Sequence, residues 1–374
     1  WVVGHNNNFH CVCQTGEDES DNSHWFVACE EVESFPVDVD GVLHVPDEYA
    51  TISLALITAV DDDVIQISAG TYNTHNLNTQ GKRITIQGEK NGDGSPATTI
   101  DGTGLTGSVL VCNSLETSDT IIENLTITGG TGENLFGGGG VRMEMSSPTI
   151  RNCHFIANTC SYGGGMMLWE SDAVIEDCVF NGNWTSTYGG GMYISYSDPI
   201  ITNCTFVGNS SISADYTDNL GGAIYNEASS PTLTSCTIDN NSSGYGGGIY
   251  NKNGSSPTLI SCVVSANIGK VCGGGMYTED GAARVALTSF CANQPDHIVG
   301  GWVNQGGNSF SNECEDAPGF CYADVNSDYD VDVLDMLYVI AVYGSDNPAG
   351  DINEDGIVNV QDMLAVISNW GGCD

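Results

Sequence analysis

The amino-acid sequence predicts a mainly β protein whose short strands wind into a parallel β-helix. One unit, mostly 25 to 27 residues long, is repeated six times between Gly138 and Asn293. The apolar positions keep their register through all six units, and no unit has the 3.6-residue spacing of a helix. A fixed period of this size, built from short strands and turns, is typical of a solenoid.

Each unit begins with a run of three small residues, nearly all glycine, and continues into alternating apolar and polar residues. The runs begin at Gly138, Gly163, Gly189, Gly221, Gly246 and Gly273. A turn and a second apolar run with a cysteine follow, and these cysteines are Cys153, Cys178, Cys204, Cys236 and Cys262. An asparagine lies five residues after each cysteine, at Asn158, Asn183, Asn209, Asn241 and Asn267. This punctuation separates strands of three to five residues.

Coils stacked about 4.8 Å apart pair each strand with the same strand of the next coil, so equivalent side chains form columns. One predicted inward column contains Val141, Met166, Met192, Ile224, Ile249 and Met276, and another contains Phe155, Phe180, Phe206, Ile238 and Val264. The cysteines are expected to be small buried thiols beside the second column. A bend that tolerates left-handed backbone geometry is expected at Asn152, Asp177, Asn203, Ser235 and Ser261.

Residues 1–41 are acidic, contain Cys11, Cys13 and Cys29, and are expected to form a disulfide-pinned N-terminal arm. The β-helix is expected over residues 42–312. A short helix capped by Thr51 is predicted near its start, with the apolar residues Ile52, Ala55, Leu56 and Ala59 on one face. Such a helix would cover the open end of the solenoid. Irregular coils are predicted at 83–87, 98–101, 109–112 and 121–128.

The formal net charge is −40, from 8 basic and 48 acidic residues. Nucleic acid is excluded as a partner because phosphate binding needs lysine and arginine. No run of 18 apolar residues occurs, so no membrane span is predicted. The charge and the cysteines near both ends favour an extracellular or cell-surface location. Glycosylation sequons occur at Asn124, Asn183, Asn203, Asn209, Asn240, Asn241 and Asn253.

The segments 45–52, 68–72, 81–86 and 127–130, together with the glycine-run units, resemble the right-handed parallel β-helix repeat proteins. These are pectin-lyase-like solenoids, abundant in secreted proteins of planctomycetes and some aquatic microbes. The resemblance covers about residues 42–312 and implies a right-handed solenoid. Because many members have no established activity, it implies little about function.

Residues 313–374 are predicted to form a small α-helical domain with two calcium loops. Oxygen donors occupy positions 1, 3, 5, 7, 9 and 12 of each loop, which is the spacing that surrounds one Ca²⁺ ion. The predicted ligands are Asp324, Asn326, Asp328, Asp330, Asp332 and Asp335 in the first loop, and Asp351, Asn353, Asp355, Ile357, Asn359 and Asp362 in the second. A helix follows each loop, and the two helices are expected to pack through Leu337, Ile340, Leu364 and Ile367.

This pair of loops resembles a dockerin type I module, which implies Ca²⁺ at both sites. Tyr329 occupies the position at which the second loop has Gly356, so we expect the second loop to bind its ion more tightly. Residues 333–334 and 360–361 lack the Ser-Thr recognition pair of cellulosomal dockerins, so a cohesin partner is not expected. Two disulfides are predicted, Cys291–Cys314 and Cys321–Cys373, because each pair brackets a segment that is otherwise loose.

No catalytic residues are predicted. A lyase needs a base beside a carboxylate cluster, but Glu144, Glu227 and Glu279 are separated within their column by Trp169, Ser195 and Lys252. The sequence also lacks the signatures of inverting polysaccharide hydrolases. Two histidines, His154 and His297, are isolated in the sequence. An enzyme is therefore not favoured.

The predicted surface feature is an exposed ladder of four tyrosines, Tyr193, Tyr225, Tyr250 and Tyr277. Three interpretations stay open: stacked tyrosines that suit a strand face, a platform for sugar rings, or a contact face for another copy of the chain. The main expectation is a secreted, non-enzymatic structural or adhesive component, with a calcium-stabilised attachment module. Its partners would be copies of itself or another extracellular protein. The alternative is a carbohydrate-active or glycan-binding protein that uses the tyrosine face to bind a polysaccharide.

Overall fold

The computed structural model describes residues 41–132, 137–212, 219–312 and 314, and further along the chain 330–331, 336, 339–340, 343–344, 357–368 and 371–372. The chain divides into two units, Trp1–Phe310 and Ser311–Asp374. The predicted N-terminal arm lies outside the described residues, and its limits stay a prediction.

The described part of the first unit is built of coils that stack in parallel register. Met166 pairs with Met192 and Phe180 pairs with Phe206, each one repeat further along the chain. Strands of the same type therefore form ladders that run the length of the stack. This register confirms the predicted parallel β-helix.

Two ladders belong to one sheet. The first ladder follows the glycine runs and contains β4 (Leu77–Asn78), β7 (Leu110–Cys112), β10 (Val141–Glu144), β14 (Met166–Trp169), β18 (Met192–Ser195), β22 (Ile224–Glu227), β26 (Ile249–Lys252), β30 (Met276–Ala286) and β32 (Ile298–Gly306). The second ladder contains β1 (Val42–Val45), β2 (Val64–Ile67), β5 (Thr85–Gly88), β8 (Ile121–Glu123), β11 (Thr149–Arg151), β15 (Val174–Glu176), β19 (Ile200–Thr202), β23 (Thr232–Thr234) and β27 (Thr258–Ile260). The long strand β30 pairs with β26 and β27, and so joins the two ladders.

Two further ladders complete the coils. The third contains β3 (Gly70–Asn73), β6 (Thr98–Asp101), β9 (Leu125–Thr128), β12 (His154–Ile156), β16 (Val179–Asn181), β20 (Thr205–Val207), β24 (Thr237–Asp239), β28 (Val263–Ser265), β31 (Ser289–Cys291) and β33 (Ser309–Ser311). The fourth contains β13 (Thr159–Tyr162), β17 (Trp184–Tyr188), β21 (Ser210–Ser211), β25 (Ser242–Tyr245) and β29 (Ile268–Cys272). The fourth ladder is not predicted by the sequence analysis.

The glycine runs are needed where the chain turns into the first ladder. Gly189 has a φ of +66°, a conformation that glycine adopts without steric cost. A Cβ atom on Gly190 would lie 2.4 Å from the carbonyl oxygen of Gly222 in the next coil. Adjacent coils are therefore too close at this position for any side chain.

The predicted inward columns form the core. Every member of the two columns, one led by Val141 and the other by Phe155, is fully buried. Phe180 stacks on Phe206 with ring centroids 4.6 Å apart and an interplanar angle of 5°. The five repeat cysteines are buried free thiols, which confirms their predicted packing role.

A second buried column consists of asparagines, which the sequence analysis located but did not explain. Its members are Asn158, Asn183, Asn209, Asn241, Asn267 and Asn293. In each of the first five, the side-chain amide donates to the side-chain oxygen of the next member, over 2.9 to 3.1 Å. Glycosylation at Asn183, Asn209 or Asn241 is incompatible with this burial. The sequons at Asn203, Asn240 and Asn253 are exposed.

Helix α1 (Ile52–Thr58) lies in the segment where the sequence predicts a helix. The Thr51 hydroxyl accepts a hydrogen bond from the backbone N–H of Leu54, as expected of an N-cap. At the other end of the helix, the Lys82 ammonium donates to the carbonyl oxygen of Ile57 over 3.1 Å. The role of α1 as a lid stays a prediction. Within the described ranges, no helix has the length and apolar character required to cross a membrane.

The second unit contains helix α2 (Val360–Ser368), and strand β34 (Asp330–Val331) pairs antiparallel with β35 (Gly371–Gly372). Its buried side chains include Val339, Val358 and Val366. Three of the residues predicted to pack the helices together, Ile340, Leu364 and Ile367, are instead about half exposed. That part of the prediction is wrong for these three residues, because the buried side chains in the described part of this unit are valines. Leu337 lies outside the described residues.

Candidate functional site

The four tyrosines predicted as a surface form the expected column, but three of them are buried. Tyr193 pairs with Tyr225, Tyr225 with Tyr250, and Tyr250 with Tyr277. Successive ring centroids are 5.2 to 5.5 Å apart. The exposed fraction is 9% for Tyr193, 1% for Tyr225 and 5% for Tyr250. The expectation of an exposed tyrosine ladder is therefore wrong for these three residues, and Tyr277 is only partly exposed.

The fourth ladder explains why these rings are covered. Its tyrosines, Tyr162, Tyr188 and Tyr245, pack against the column and form a small second core outside the coil. Tyr188 stacks on Tyr225 with ring centroids 4.7 Å apart. Burial raises the pKa of Tyr225 above its ordinary value, so its phenol is protonated over the physiological pH range. A flat sugar-binding platform is not available on the ring faces of this column.

Only the hydroxyl groups of this column reach polar partners. Tyr193 Oη donates to Glu227 Oε2 over 2.6 Å, and Tyr250 Oη donates to Glu279 Oε2 over 2.6 Å. Lys252 Nζ lies 4.0 Å from Glu279 Oε2. These carboxylates are each engaged by a phenol, and their arrangement stabilises the tyrosine column.

A groove of about 480 Å³ lies at the bend between the second and third ladders. It is lined by Lys90, Gly94, Glu123, Asn124, Arg151, Asn152 and Asp177, and is called here the Arg151 groove. Its size falls within the range typical of small-molecule sites. The sequence does not predict this groove, because its residues come from separate coils and from an inserted hairpin.

The hairpin spans residues 89–97 and folds over the bend. Lys90 and Pro96 form an antiparallel bridge, and the Gly94 carbonyl oxygen accepts a hydrogen bond of 3.1 Å from Asn152 Nδ2. Asp93 accepts hydrogen bonds from the backbone and the hydroxyl of Ser95, which close the turn. The hairpin thereby places Lys90 beside the strands that carry Glu123 and Arg151.

Two cations and two carboxylates line the groove. Glu123, only 6% exposed, accepts hydrogen bonds from Arg151 Nε and from Gln87 Nε2. Those contacts fix the Arg151 guanidinium, whose side chain is 46% exposed. Lys90 is exposed and forms no ion pair with any described residue. The exposed Asp177 has no cationic partner in the described part of the chain, and its Oδ1 accepts from Asn203 over 2.6 Å.

The backbone at the floor of the groove has left-handed geometry, as predicted for the bend. Asn124, Asn152, Asp177 and Asn203 have φ values of 59°, 48°, 54° and 52°. Asparagine and aspartate tolerate this conformation better than most residues. Asn152 Nδ2 also donates to Asn124 Oδ1 over 2.9 Å, which ties consecutive coils together.

His154 lies on β12, two residues beyond Asn152, and is not isolated as the sequence suggests. Burial lowers its pKa, and the Asp93 carboxylate of the hairpin opposes that effect. The pKa remains below the ordinary value, so the imidazole is neutral at pH 7. The cationic character of this region therefore comes from Lys90 and Arg151.

Most of the predicted calcium ligands lie outside the described residues. Asp324, Asn326, Asp328, Asp332, Asp335, Asp351, Asn353 and Asp355 are in that group, and only the backbones of Asp330 and Asp362 are described. The two ligands with described side chains are adjacent: Asn359 Nδ2 donates to the Ile357 carbonyl oxygen over 2.8 Å. Among the described residues, no group of three or more His, Cys, Asp or Glu side chains is placed to hold a metal ion.

The cysteines near the end of the β-helix agree with the disulfide prediction as far as they are described. Cys291 and Cys314 are each disulfide-bonded. Their pairing with one another stays a prediction. Cys321 and Cys373 lie outside the described side chains.

Comparison with known proteins identifies the family. A family model for the right handed beta helix region matches residues 86–264 and 189–314. Among curated proteins, none matches the sequence. A solved pectin methylesterase mutant in complex with a hexasaccharide is 11% identical over 62% of this chain and 77% of its own, with a TM-score of 0.41.

Two further solved structures match this chain with comparable sequence identities and TM-scores. A pectin methylesterase from Aspergillus niger is 12% identical over 74% of this chain and 91% of its own, with a TM-score of 0.36. An alginate lyase from Paenibacillus is 14% identical over 69% of this chain and 93% of its own, with a TM-score of 0.34. A pectate lyase and α-1,3-glucanases also match.

These matched structures correct the main functional expectation. They are carbohydrate-active enzymes, and the expectation of a non-enzymatic structural or adhesive component is withdrawn. At these identities the likeness extends to the fold alone, so it gives no role to any residue. The family model covers more than half of the sequence. The chain belongs to the right-handed β-helix family.

Proposed function

We propose that this chain is a carbohydrate-active protein that binds an acidic polysaccharide in the Arg151 groove. The observation that carries the proposal is the meeting of Lys90 and Arg151 in one groove of about 480 Å³. The whole chain has only 8 basic residues against 48 acidic ones, so a groove in which Lys90 and Arg151 balance the carboxylates of Glu123 and Asp177 is unusual in this chain. Carboxylate or sulfate groups of a sugar chain are the partners that such a pair attracts.

The net charge of −40 does not prevent this binding at physiological salt. Interactions between exposed charges fall off over about 8 Å at that ionic strength, so the distant carboxylates are largely screened. A direct contact with Lys90 or Arg151 is shorter than that distance and keeps most of its strength. Binding should therefore weaken at high salt, and it should also weaken at very low salt, where the repulsion from the rest of the chain extends further.

Cleavage is the second part of the proposal, and Asp177 is its candidate acid or base. This carboxylate is exposed, lines the groove and has no cationic partner among the described residues. A carboxyl group in such a position can exchange a proton with a bound sugar. We expect Asp177→Asn to retain binding and to abolish the release of new chain ends.

The test is electrophoresis of the full chain through gels that contain polygalacturonate, alginate or neutral dextran. We expect retardation only by the acidic polymers, and its loss in Lys90→Ala. Arg284→Gln is the matched control, because Arg284 is exposed and this substitution also removes one positive charge, at a position outside the groove. Equal retardation of Lys90→Ala and Arg284→Gln by the acidic polymers would contradict the assignment of the groove.

A calcium-stabilised C-terminal module is a further part of the proposal. The two sets of six ligands at calcium-loop spacing support it, as does the resemblance to dockerin type I modules. The second loop would bind more tightly because it has Gly356. We also propose that the protein is extracellular and that the module attaches it to another extracellular protein or a further copy.

A further inference from the structure

A second, smaller pocket lies on the outer face of the first ladder, beside Arg142. This arginine is on β10 and pairs with Val111 of β7 and Met167 of β14. The pocket has a volume of about 180 Å³ and is lined by Asn76, Asn78, Ser108, Val111, Asn113 and Arg142. None of these residues is acidic, although the chain has 48 acidic residues. We call it the Arg142 pocket.

The guanidinium of Arg142 has a donor that is not used. Its Nε–H is buried, and no acceptor within the described residues forms a hydrogen bond with it. The Glu144 Oε1 atom lies 3.6 Å from Nε, which is close enough for an ion pair but too long for an N–H···O hydrogen bond. A buried donor without an acceptor is unfavourable, because it has lost its water and gained no replacement. A ligand oxygen at this position would remove that penalty.

The asparagines around Arg142 also present donors. The Asn113 side-chain oxygen accepts a hydrogen bond of 3.0 Å from Asn78 Nδ2. The Asn78 oxygen in turn accepts from the backbone N–H of Gln80 over 2.7 Å. The side-chain oxygens of Asn78 and Asn113 are therefore both engaged. The Asn113 Nδ2 group makes no hydrogen bond to a described residue. Two donors of pocket residues, the Arg142 Nε–H and the Asn113 amide N–H₂, thus have no acceptor among the described residues.

We propose that the Arg142 pocket is a binding site for a carboxylate group. A planar carboxylate accepts two parallel hydrogen bonds from one side of a guanidinium, including its Nε–H. Asn113 Nδ2 supplies a third donor to the same anion. The volume of about 180 Å³ suits one small carboxylate or a single acidic sugar unit. The pocket shares no lining residue with the Arg151 groove, so this proposal does not rest on the proposed function.

The experiment uses the full chain labelled with ¹⁵N and follows the Nε–H signals of its arginines. Only four arginines occur, Arg83, Arg142, Arg151 and Arg284, so the signals are few. Arg142→Gln identifies the Arg142 signal by its disappearance, and Arg284→Gln is the matched control. Titration with sodium glucuronate should shift the Arg142 signal and slow its exchange with water. Neutral glucose at the same concentration should leave it unchanged.

A second variant keeps the test decisive if Arg142→Gln fails to fold. Asn113→Asp replaces a donor by a carboxylate of the same shape, and we expect it to weaken glucuronate binding at Arg142 at least tenfold. An Arg142 signal that does not move at saturating glucuronate would overturn the proposal. A response to sodium sulfate as strong as that to glucuronate would overturn the assignment to carboxylates.

Discussion

The side-chain amide of Asn183 donates a hydrogen bond of 2.9 Å to Oδ1 of Asn209, and both residues are fully buried. Oδ1 of Asn209 also accepts a hydrogen bond from the backbone N–H of Asn183. Nδ2 of Asn209 donates to the Phe180 carbonyl oxygen and to Oδ1 of Asn241. One side chain thus satisfies buried polar groups in both neighbouring coils. The asparagine column is a hydrogen-bonded spine for the solenoid.

Removal of one member of this spine should be costly. We expect Asn209→Ala to lower the free energy of unfolding by about 2–6 kcal/mol, because at least two buried polar groups lose their partners at about 1–3 kcal/mol each. The measurement is urea unfolding followed by far-UV circular dichroism. Thr202→Ala, a change at a partly exposed position of the same coil, is the control and should cost less than about 0.5 kcal/mol. Equal effects of the two changes would contradict the role of the spine.

The stacked phenylalanines make a second contribution to the core. Phe180 is fully buried between Phe155 and Phe206, with centroids 4.6 Å from each. We expect Phe180→Ala to cost about 3–5 kcal/mol, the usual effect of emptying a core aromatic site. Urea unfolding of this variant should be compared with that of Ile200→Ala, whose side chain is 52% exposed. A similar loss for both variants would show that the column is not packed as described.

The core residues could be predicted because the sequence repeat determines which side chains point inward. Parallel stacking places residues one period apart on the same side of the coil, so one assignment at Phe155 determines Phe180 and Phe206 as well. The fourth ladder has no such signal in the sequence. Its strand β21 is only Ser210–Ser211, with no apolar alternation to distinguish it from a loop. Without that ladder, the tyrosines that point out of the coil would be exposed, as the sequence alone predicts.

The groove could not be predicted for a different physical reason. Its walls depend on how an inserted hairpin folds over a later coil, and that contact joins Gly94 to Asn152, 58 residues apart. The residues of the hairpin read as an ordinary polar turn, with Gly92, Gly94 and Pro96. The isolated appearance of His154 in the sequence reflects this distance along the chain. The proposed calcium loops, by contrast, rest on local sequence patterns, which require no tertiary contact to be read.

Asp239 should make stability depend on pH. Its carboxyl group is buried, and burial raises its pKa from 3.8 to about 6, although the Ser265 hydroxyl donates to it over 2.5 Å. The folded protein therefore binds this proton more tightly than the unfolded chain does. The resulting stabilisation is complete below about pH 4 and is lost as the pH rises through 6.

The variant Asp239→Asn tests this effect. The amide retains an acceptor for Ser265 and cannot ionise, so the variant should gain stability relative to the wild type as pH rises. At pH 7.5 the gain should exceed that at pH 4.5 by about 3 kcal/mol at most, because each pKa unit corresponds to about 1.4 kcal/mol. Unfolding by urea at both pH values gives the comparison. A difference between variant and wild type that is constant with pH would contradict the burial of an ionisable Asp239.

The C-terminal module should depend on Ca²⁺ for its fold. At about 60 residues it is too small to bury a large core, and domains of this size often need a metal or disulfides. Its buried valines, Val339 and Val366, follow the two loops, and each loop collects carboxylates that repel one another without a cation. Chelation should therefore reduce the helical signal of the full chain. The β signal should persist, because the buried columns of the solenoid are held together by apolar packing and amide hydrogen bonds.

Calorimetric titration of the full chain with Ca²⁺ should separate the two loops. Asp355→Ala removes a ligand of the second loop and should abolish the tighter binding event, whereas Asp328→Ala should abolish the weaker one. The difference arises because Gly356 can adopt the positive φ of the loop, which is costly for the bulky Tyr329 of the first loop. Glu170→Ala removes one exposed carboxylate of the β-helix and should leave both events unchanged. Equal affinities of the two loops would refute the role of the glycine, and absence of Ca²⁺ uptake would refute the module itself.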